Sequence, residues 1–118
     1  MISTSTDGGA SWSSPAPVST TTPAHRPAFT GEVAVNSKGV VAVSYYDLRD
    51  LTPTNTTTLP TIMLAKTSSD HGTTFRADIP LGGPFNDLVA PFAGGFMFGD
   101  YSALTAAGTS MPSAGGIR

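Results

Sequence analysis

One short pattern is written twice in this chain: "STDGGASW" (residues 5–12) and "SSDHGTTF" (residues 68–75) align as Ser-x-Asp-x-Gly-x-x-aromatic. The shared positions are Ser5, Asp7, Gly9 and Trp12 in the first copy, and Ser68, Asp70, Gly72 and Phe75 in the second. Each letter has a physical use. A carboxylate at Asp7 or Asp70 can accept hydrogen bonds from N–H groups of its own turn, and Gly9 or Gly72 supplies a backbone angle that costs a residue with a side chain more. Trp12 or Phe75 then opens the outgoing strand as a large apolar anchor. A single Asp-Gly-Gly reads as an ordinary hairpin turn. Two copies with the same aromatic offset predict a repeated hairpin, its tip in water and its aromatic ring in a core.

The sequence around the two copies reads as all-β. Thirteen glycines and ten prolines punctuate the chain at short intervals, and no window keeps a helical apolar period for three turns. "PAFTGEVAVN" (27–36) and "GVVAVSYYD" (39–47) form the clearest strand pair, joined by the polar "NSKG". The second of them carries apolar or aromatic residues on both alternating faces, with Val41, Val43 and Tyr45 set against Val40, Ala42 and Tyr46. Such a strand is expected to be covered on both sides. "LRDLTPTNTTTLP" (48–60) is too polar and too often broken by proline for a sheet, and reads as a long loop. "TIMLAKT" (61–67) is a third strand that runs into the second copy of the turn, and "FRADIPL" (75–81) leaves it as a fourth.

The bulk numbers narrow the function classes. At 118 residues the chain holds one modest core. Only 12% of residues are charged and the formal net charge is −2, so no electrostatic footprint for nucleic acid or an anionic membrane is present. The chain has no cysteine, which removes disulfides, thiolate zinc sites and a Cys nucleophile. Neither a signal peptide nor a run long enough to cross a bilayer is visible. His25 and His71 fall on opposite expected rims, so no metal site is predicted, and no cofactor is implied.

The repeated motif resembles the Asp-box, or BNR repeat, of sialidases and related proteins, where it joins the third and fourth strands of β-propeller blades. "GVVAVSYYDLRD" and "FGDYSALTAAG" (98–108) resemble stretches of secreted bacterial sialidase-like BNR proteins. The resemblance implies a partial β-propeller of about one complete four-stranded blade plus parts of two neighbours. Residues 1–20 would be the terminal Asp-box hairpin of a preceding blade, 25–82 a complete blade with the second Asp-box, and 85–118 a crossover and the start of a following blade with an irregular tail. A propeller closes only with about four to eight blades. The expected partners are therefore the remaining blades of a longer parent and a carbohydrate ligand, with an extracellular or secreted setting for that parent.

On this reading the Asp-box residues are structural, and the opposite rim carries the chemistry. The candidates there are Arg26, Asp47, Arg49, Asp50, Asp87, Asp100 and Tyr101. A sialidase resemblance implies three arginines clamping the substrate carboxylate, a Tyr nucleophile assisted by a Glu, and an Asp acid/base, because a guanidinium fork binds a carboxylate through two parallel hydrogen bonds and a phenol needs a base to become nucleophilic. This chain departs from that set. Arg76 is expected on an outer strand and Arg118 in the tail, which leaves Arg26 and Arg49, and Glu32 is the sole glutamate. Exo-sialidase-type hydrolysis is thus an expectation for the parent, and the chain alone is expected to be inactive. The rival readings are a carbohydrate-binding or adhesion propeller without catalysis and an inactive gene fragment. For Asp47, Arg49 and Asp50, an ion-paired loop is favoured over a substrate-facing cluster.

Overall fold

The computed structural model describes residues 1–19, 27–89 and 104–105. Four strands build one sheet: β1 (Ala28–Val35), β2 (Val41–Asp47), β3 (Pro60–Ser68) and β4 (Ile79–Asn86). They are antiparallel and lie in chain order, β1-β2-β3-β4. The protein is all-β, an open antiparallel meander followed by one short 3-10 turn at Asp87–Val89. No described helix is long and apolar enough to cross a membrane.

The turn between β1 and β2 forms where the polar run placed it. Asn36 Oδ1 accepts the backbone N–H groups of Lys38 and Val40, both at 3.0 Å. Gly39 closes the turn at φ 78°, a left-handed angle that glycine adopts without steric cost. Strand β2 is then held on both edges and covered on both faces, as its two-sided apolar pattern predicts. On one face Tyr45 joins Leu64 and Val18, with Ile2, Val43, Ile62 and Phe75 packed around them. On the other, Ala42 joins Ala34 and Leu104.

The fourth strand corrects the sequence reading. It was expected over 75–81 but spans Ile79–Asn86. The chain still touches β3 early, since the Arg76 N–H donates to the Thr67 carbonyl at 2.9 Å. Regular pairing begins only at Ile79 opposite Ala65, after Phe75 has turned into the core and Asp78 into an ion-pair network. The run "LGGPFN" looks like a strand breaker, yet it lies inside β4. At Gly83 a Cβ would sit 2.8 Å from the Thr61 carbonyl oxygen, so glycine is what allows β4 to press against β3 there.

Residues 1–17 form a two-stranded arm beside the sheet. Ile2 and Ala16 exchange both backbone hydrogen bonds, at 2.7 and 2.9 Å, and the Ser13 N–H donates to the Thr4 carbonyl at 2.8 Å. Such a ribbon is marginal alone. It is anchored by Ile2 and Val18, which belong to the same apolar cluster as Tyr45 and Leu64.

Candidate functional site

The two repeated turns share one circuit, bond for bond. In the first, the Ser5 hydroxyl donates to Asp7 Oδ1 at 2.8 Å and accepts the Gly9 N–H at 2.8 Å, while Asp7 Oδ1 accepts the Ser11 N–H at 2.9 Å. In the second, Ser68 donates to Asp70 Oδ1 at 2.6 Å and accepts the Gly72 N–H at 2.9 Å, while Asp70 Oδ1 accepts the Thr74 N–H at 2.9 Å. The hydroxyls of Ser11 and Thr74 close each ring by donating to the other carboxylate oxygen. Those two hydroxyl residues are a shared position that the aligned pattern leaves out. Gly9 and Gly72 take left-handed angles, φ 93° and 86°.

Electrostatics follow from the circuit. The Ser11 hydroxyl and N–H, with Ser5, hold the Asp7 carboxyl down to about 2. Ser68 and Thr74 hold Asp70 further below the ordinary carboxylate range. Both carboxylates are consumed by their own turns, which leaves them little capacity for substrate chemistry.

Both turns lie at one end of the molecule. A methyl group at Gly72 would meet Thr4 Cγ2 at 3.5 Å, and one at Gly39 would meet the His71 ring at 3.6 Å, so the first arm, the β1–β2 turn and the second repeated turn are neighbours. The 48–59 loop is at the other end of the sheet, where Asp47 pairs with Ile62.

One expectation about the repeats fails. Trp12 is 64% exposed and forms no part of a core. Its ring lies back over its own turn, with Nε1 donating to the Gly9 carbonyl at 3.2 Å, because the arm that carries it is only two strands wide. Phe75, at the matching position, packs against Tyr45 and Leu64 as expected.

At the loop end, charge is concentrated around Arg49. The guanidinium makes a forked contact with Asp47, Nε to both carboxylate oxygens at 3.0 Å and Nη2 to Oδ2 at 2.6 Å, and Nη1 reaches Asp78 Oδ2 at 3.0 Å. Asp47 is fully buried and Asp78 largely so. Asp78 also accepts the Tyr45 hydroxyl at 2.6 Å, with Lys66 Nζ at 3.8 Å. The favoured ion-paired loop is present with a different third member. Asp50 points into solvent, whereas Arg49 folds back over β2 to Asp78, just ahead of β4.

The network shifts its own members. The bonds to Asp47 raise the Arg49 guanidinium still further above neutrality. Burial, reinforced by Asp78, pushes the Tyr45 phenol well above its ordinary value. Burial alone would raise the Asp78 carboxyl, but the Tyr45 hydroxyl and the Arg49 guanidinium outweigh it and hold it below the ordinary range. Glu32, the sole glutamate, is paired in register with Ser44, which places it on the opposite face of the sheet from Tyr45 and on the same face as Tyr46.

Asp87 opens the turn after β4. Its N–H donates to the Leu59 carbonyl at 3.0 Å, which ties it to the loop end. The side chain is buried, Oδ1 has no hydrogen-bond partner among the described residues, and burial raises the carboxyl. Arg26, Asp100 and Tyr101 lie outside the described residues. Asp78, Lys66 and the Tyr45 hydroxyl are the members of the network that the sequence reading missed. The available signal was the isolated acid in "FRADIPL", an unusual residue at a sheet position unless a cation faces it.

No protein-family model, curated protein or solved structure matches this chain.

Proposed function

We propose that the chain is part of a sialidase-like Asp-box β-propeller in which the sheet is one blade and the arm the outer hairpin of its neighbour. The end opposite the Asp-boxes then engages extracellular glycans. The observation that carries this reading is the duplicated circuit, built on two adjacent hairpins at the same end of the molecule. The four-stranded meander and its coverage on both faces support it, since a blade is four antiparallel strands packed between two others. Further blades would complete the ring.

For this chain, binding without hydrolysis is the reading the site supports better. Arg49 is committed to two carboxylates, and the Tyr45 phenol is held in its neutral form by burial and Asp78, so neither serves as clamp or nucleophile. The test pairs fluorogenic sialoside release with binding to an array of sialylated and neutral glycans. The expected result is carbohydrate binding without release, weakened by Asp50→Ala at the loop end more than by Arg76→Ala. Saturable release would establish catalysis, and no binding to any glycan would remove the carbohydrate reading.

A further inference from the structure

The loop between β2 and β3 carries a run that neither the sheet nor the Arg49 network uses. Residues 52–58 read Thr-Pro-Thr-Asn-Thr-Thr-Thr, five threonines in seven residues, with Pro53 inside the run and Pro60 just beyond it. All five threonines are exposed. A surface stretch rich in Thr and Pro is the composition that carries O-linked sugars, because proline keeps the backbone out of ladders while each threonine offers a hydroxyl.

The backbone of the run is held in place by Asn55. Its Oδ1 accepts the N–H groups of Thr57 at 3.2 Å and Thr58 at 3.0 Å, and its own N–H donates to the Thr52 carbonyl at 3.1 Å. The Leu59 N–H donates to Asn86 Oδ1 at 2.9 Å, which pins the loop to the end of β4. Three threonine hydroxyls are engaged, Thr52 with Thr54 at 3.4 Å and Thr58 as acceptor of Asn55 Nδ2 at 2.7 Å. The hydroxyls of Thr56 and Thr57 have no hydrogen-bond partner among the described residues. Threonines elsewhere differ, since Thr74 closes onto Asp70 and the buried Thr61 donates to the Leu59 carbonyl at 3.0 Å.

We propose that Thr56 and Thr57 are acceptors for an O-linked hexose, transferred from a polyprenyl-phosphate hexose by an external glycosyltransferase. The threonine Oγ attacks the sugar C1, and the C1–Oγ bond forms as the C1–O bond to phosphate breaks. The polyprenyl phosphate leaves with the bonding electron pair, and the hydroxyl proton passes to a base of the transferase. Hexoses at these two positions stand in water and displace nothing buried. Asn55-Thr56-Thr57 also fits the N-linked acceptor pattern, but the Asn55 side chain is half-buried and its amide oxygen and nitrogen both bond within the turn, which favours the two open hydroxyls. The inference rests on the extracellular setting of the proposed function and on no other part of that reading.

The test incubates the full chain with membranes that hold a protein O-mannosyltransferase and with radiolabelled polyprenyl-phosphate mannose. Cleavage after Arg49 and Lys66 places the run in one peptide, 50–66, for fragmentation mass spectrometry that retains O-linked sugars. The expected result is hexose on Thr56 or Thr57. Thr56→Ala combined with Thr57→Ala is expected to lose the label from this peptide, while Thr6→Ala, at an exposed position at the other end of the molecule, keeps it. Circular dichroism of the double variant should match that of the unmodified chain, because both side chains are exposed. Secreted expression in a host with the same transferase is the second readout, and there Asn55→Gln is expected to leave the hexose in place. An unlabelled chain, hexose confined to other peptides, a label that survives the double change, or a sugar lost with Asn55→Gln would each overturn the inference. Glycan binding by chain made without the transferase is read separately, so the failure of the carbohydrate-binding proposal and the failure of this one are distinguishable.

Discussion

The turn at 5–12 and the turn at 68–75 are the same hydrogen-bond circuit in two settings. The first belongs to a two-stranded arm, with its aromatic ring lying over its own glycine in water. The second joins β3 toward β4, with its aromatic ring in the core and the Asp78 network three residues further on. Identical local bonds with different surroundings separate what a short sequence dictates from what the rest of the fold contributes. The Ser-Asp-Gly-hydroxyl ring closes wherever it is written. The aromatic residue is an anchor only where a sheet lies beneath it.

The largest effect is expected from cutting the fastening that the second turn has and the first lacks. Arg49→Ala would leave the fully buried Asp47 without its cation and free Asp78 from one of its two cations, at a cost of about 3 kcal/mol in denaturant unfolding. A loss no greater than that of an ordinary surface change would mean that the network does not hold the approach to β4.

The aromatic positions sharpen the contrast next. Phe75→Ala is expected to cost about 2 kcal/mol, below the full range for a buried ring because Phe75 is only partly buried. Trp12→Ala is expected to stay within about 0.5 kcal/mol. Equal losses would show that the first arm has a core of its own.

How much of this was legible in the sequence can be traced through these residues. Spacing gave the serine, carboxylate and glycine of the circuit, because its bonds run between residues two to four apart, but not the closing hydroxyls of Ser11 and Thr74. Strands β1, β2 and β3 followed from alternation and turn chemistry in the same way. Trp12 could not be placed, since its letter matches Phe75 and only the width of the surrounding sheet differs. Asp78 was missed because its partners, Arg49 and Tyr45, are far from it in sequence and meet it only after β2, β3 and β4 have been laid side by side. The opening of β4 shifted for the same reason, as residues 75–78 serve the core and the ion pairs before regular pairing begins.

Acid should test both circuits together. Asp7 titrates at about 2 in the folded chain, against an ordinary value of 3.8, and Asp70 lower still. A depressed carboxyl stabilises the fold fully above its unfolded value and loses that contribution as pH falls through its folded value. Stability is therefore expected to decline from near pH 4 toward pH 2 and below, less steeply in Asp7→Asn and in Asp70→Asn. Asp87 works in the opposite sense, because burial raises it. Its charged form opposes folding near neutrality, and Asp87→Asn is expected to stabilise the chain at pH 7 with no gain in acid.

The smallest expected difference lies at the third residue after the leading serine. Gly8 has φ 72° and its counterpart His71 has φ 60°, so the same left-handed corner is made once with glycine and once without. Gly8→Ala should cost about 1 kcal/mol, whereas His71→Gly should be nearly neutral, the relief of backbone strain offsetting the lost packing on Gly39.

Amide hydrogen exchange in the paired variants Asp7→Ala and Asp70→Ala reads the comparison most directly, through the N–H groups of Ser11 and Thr74 that donate to these carboxylates. Each variant is expected to expose its own turn amide. Asp7→Ala should leave the protection of β3 and β4 intact, while Asp70→Ala should lower it along both strands, since the second turn connects β3 to β4 directly whereas the first meets the core only through Ile2 and Val18 of its arm. Equal footprints for the two variants, or a Ser11 or Thr74 amide that exchanges as fast as an open loop in the unmodified chain, would contradict a single local circuit made structural by its surroundings.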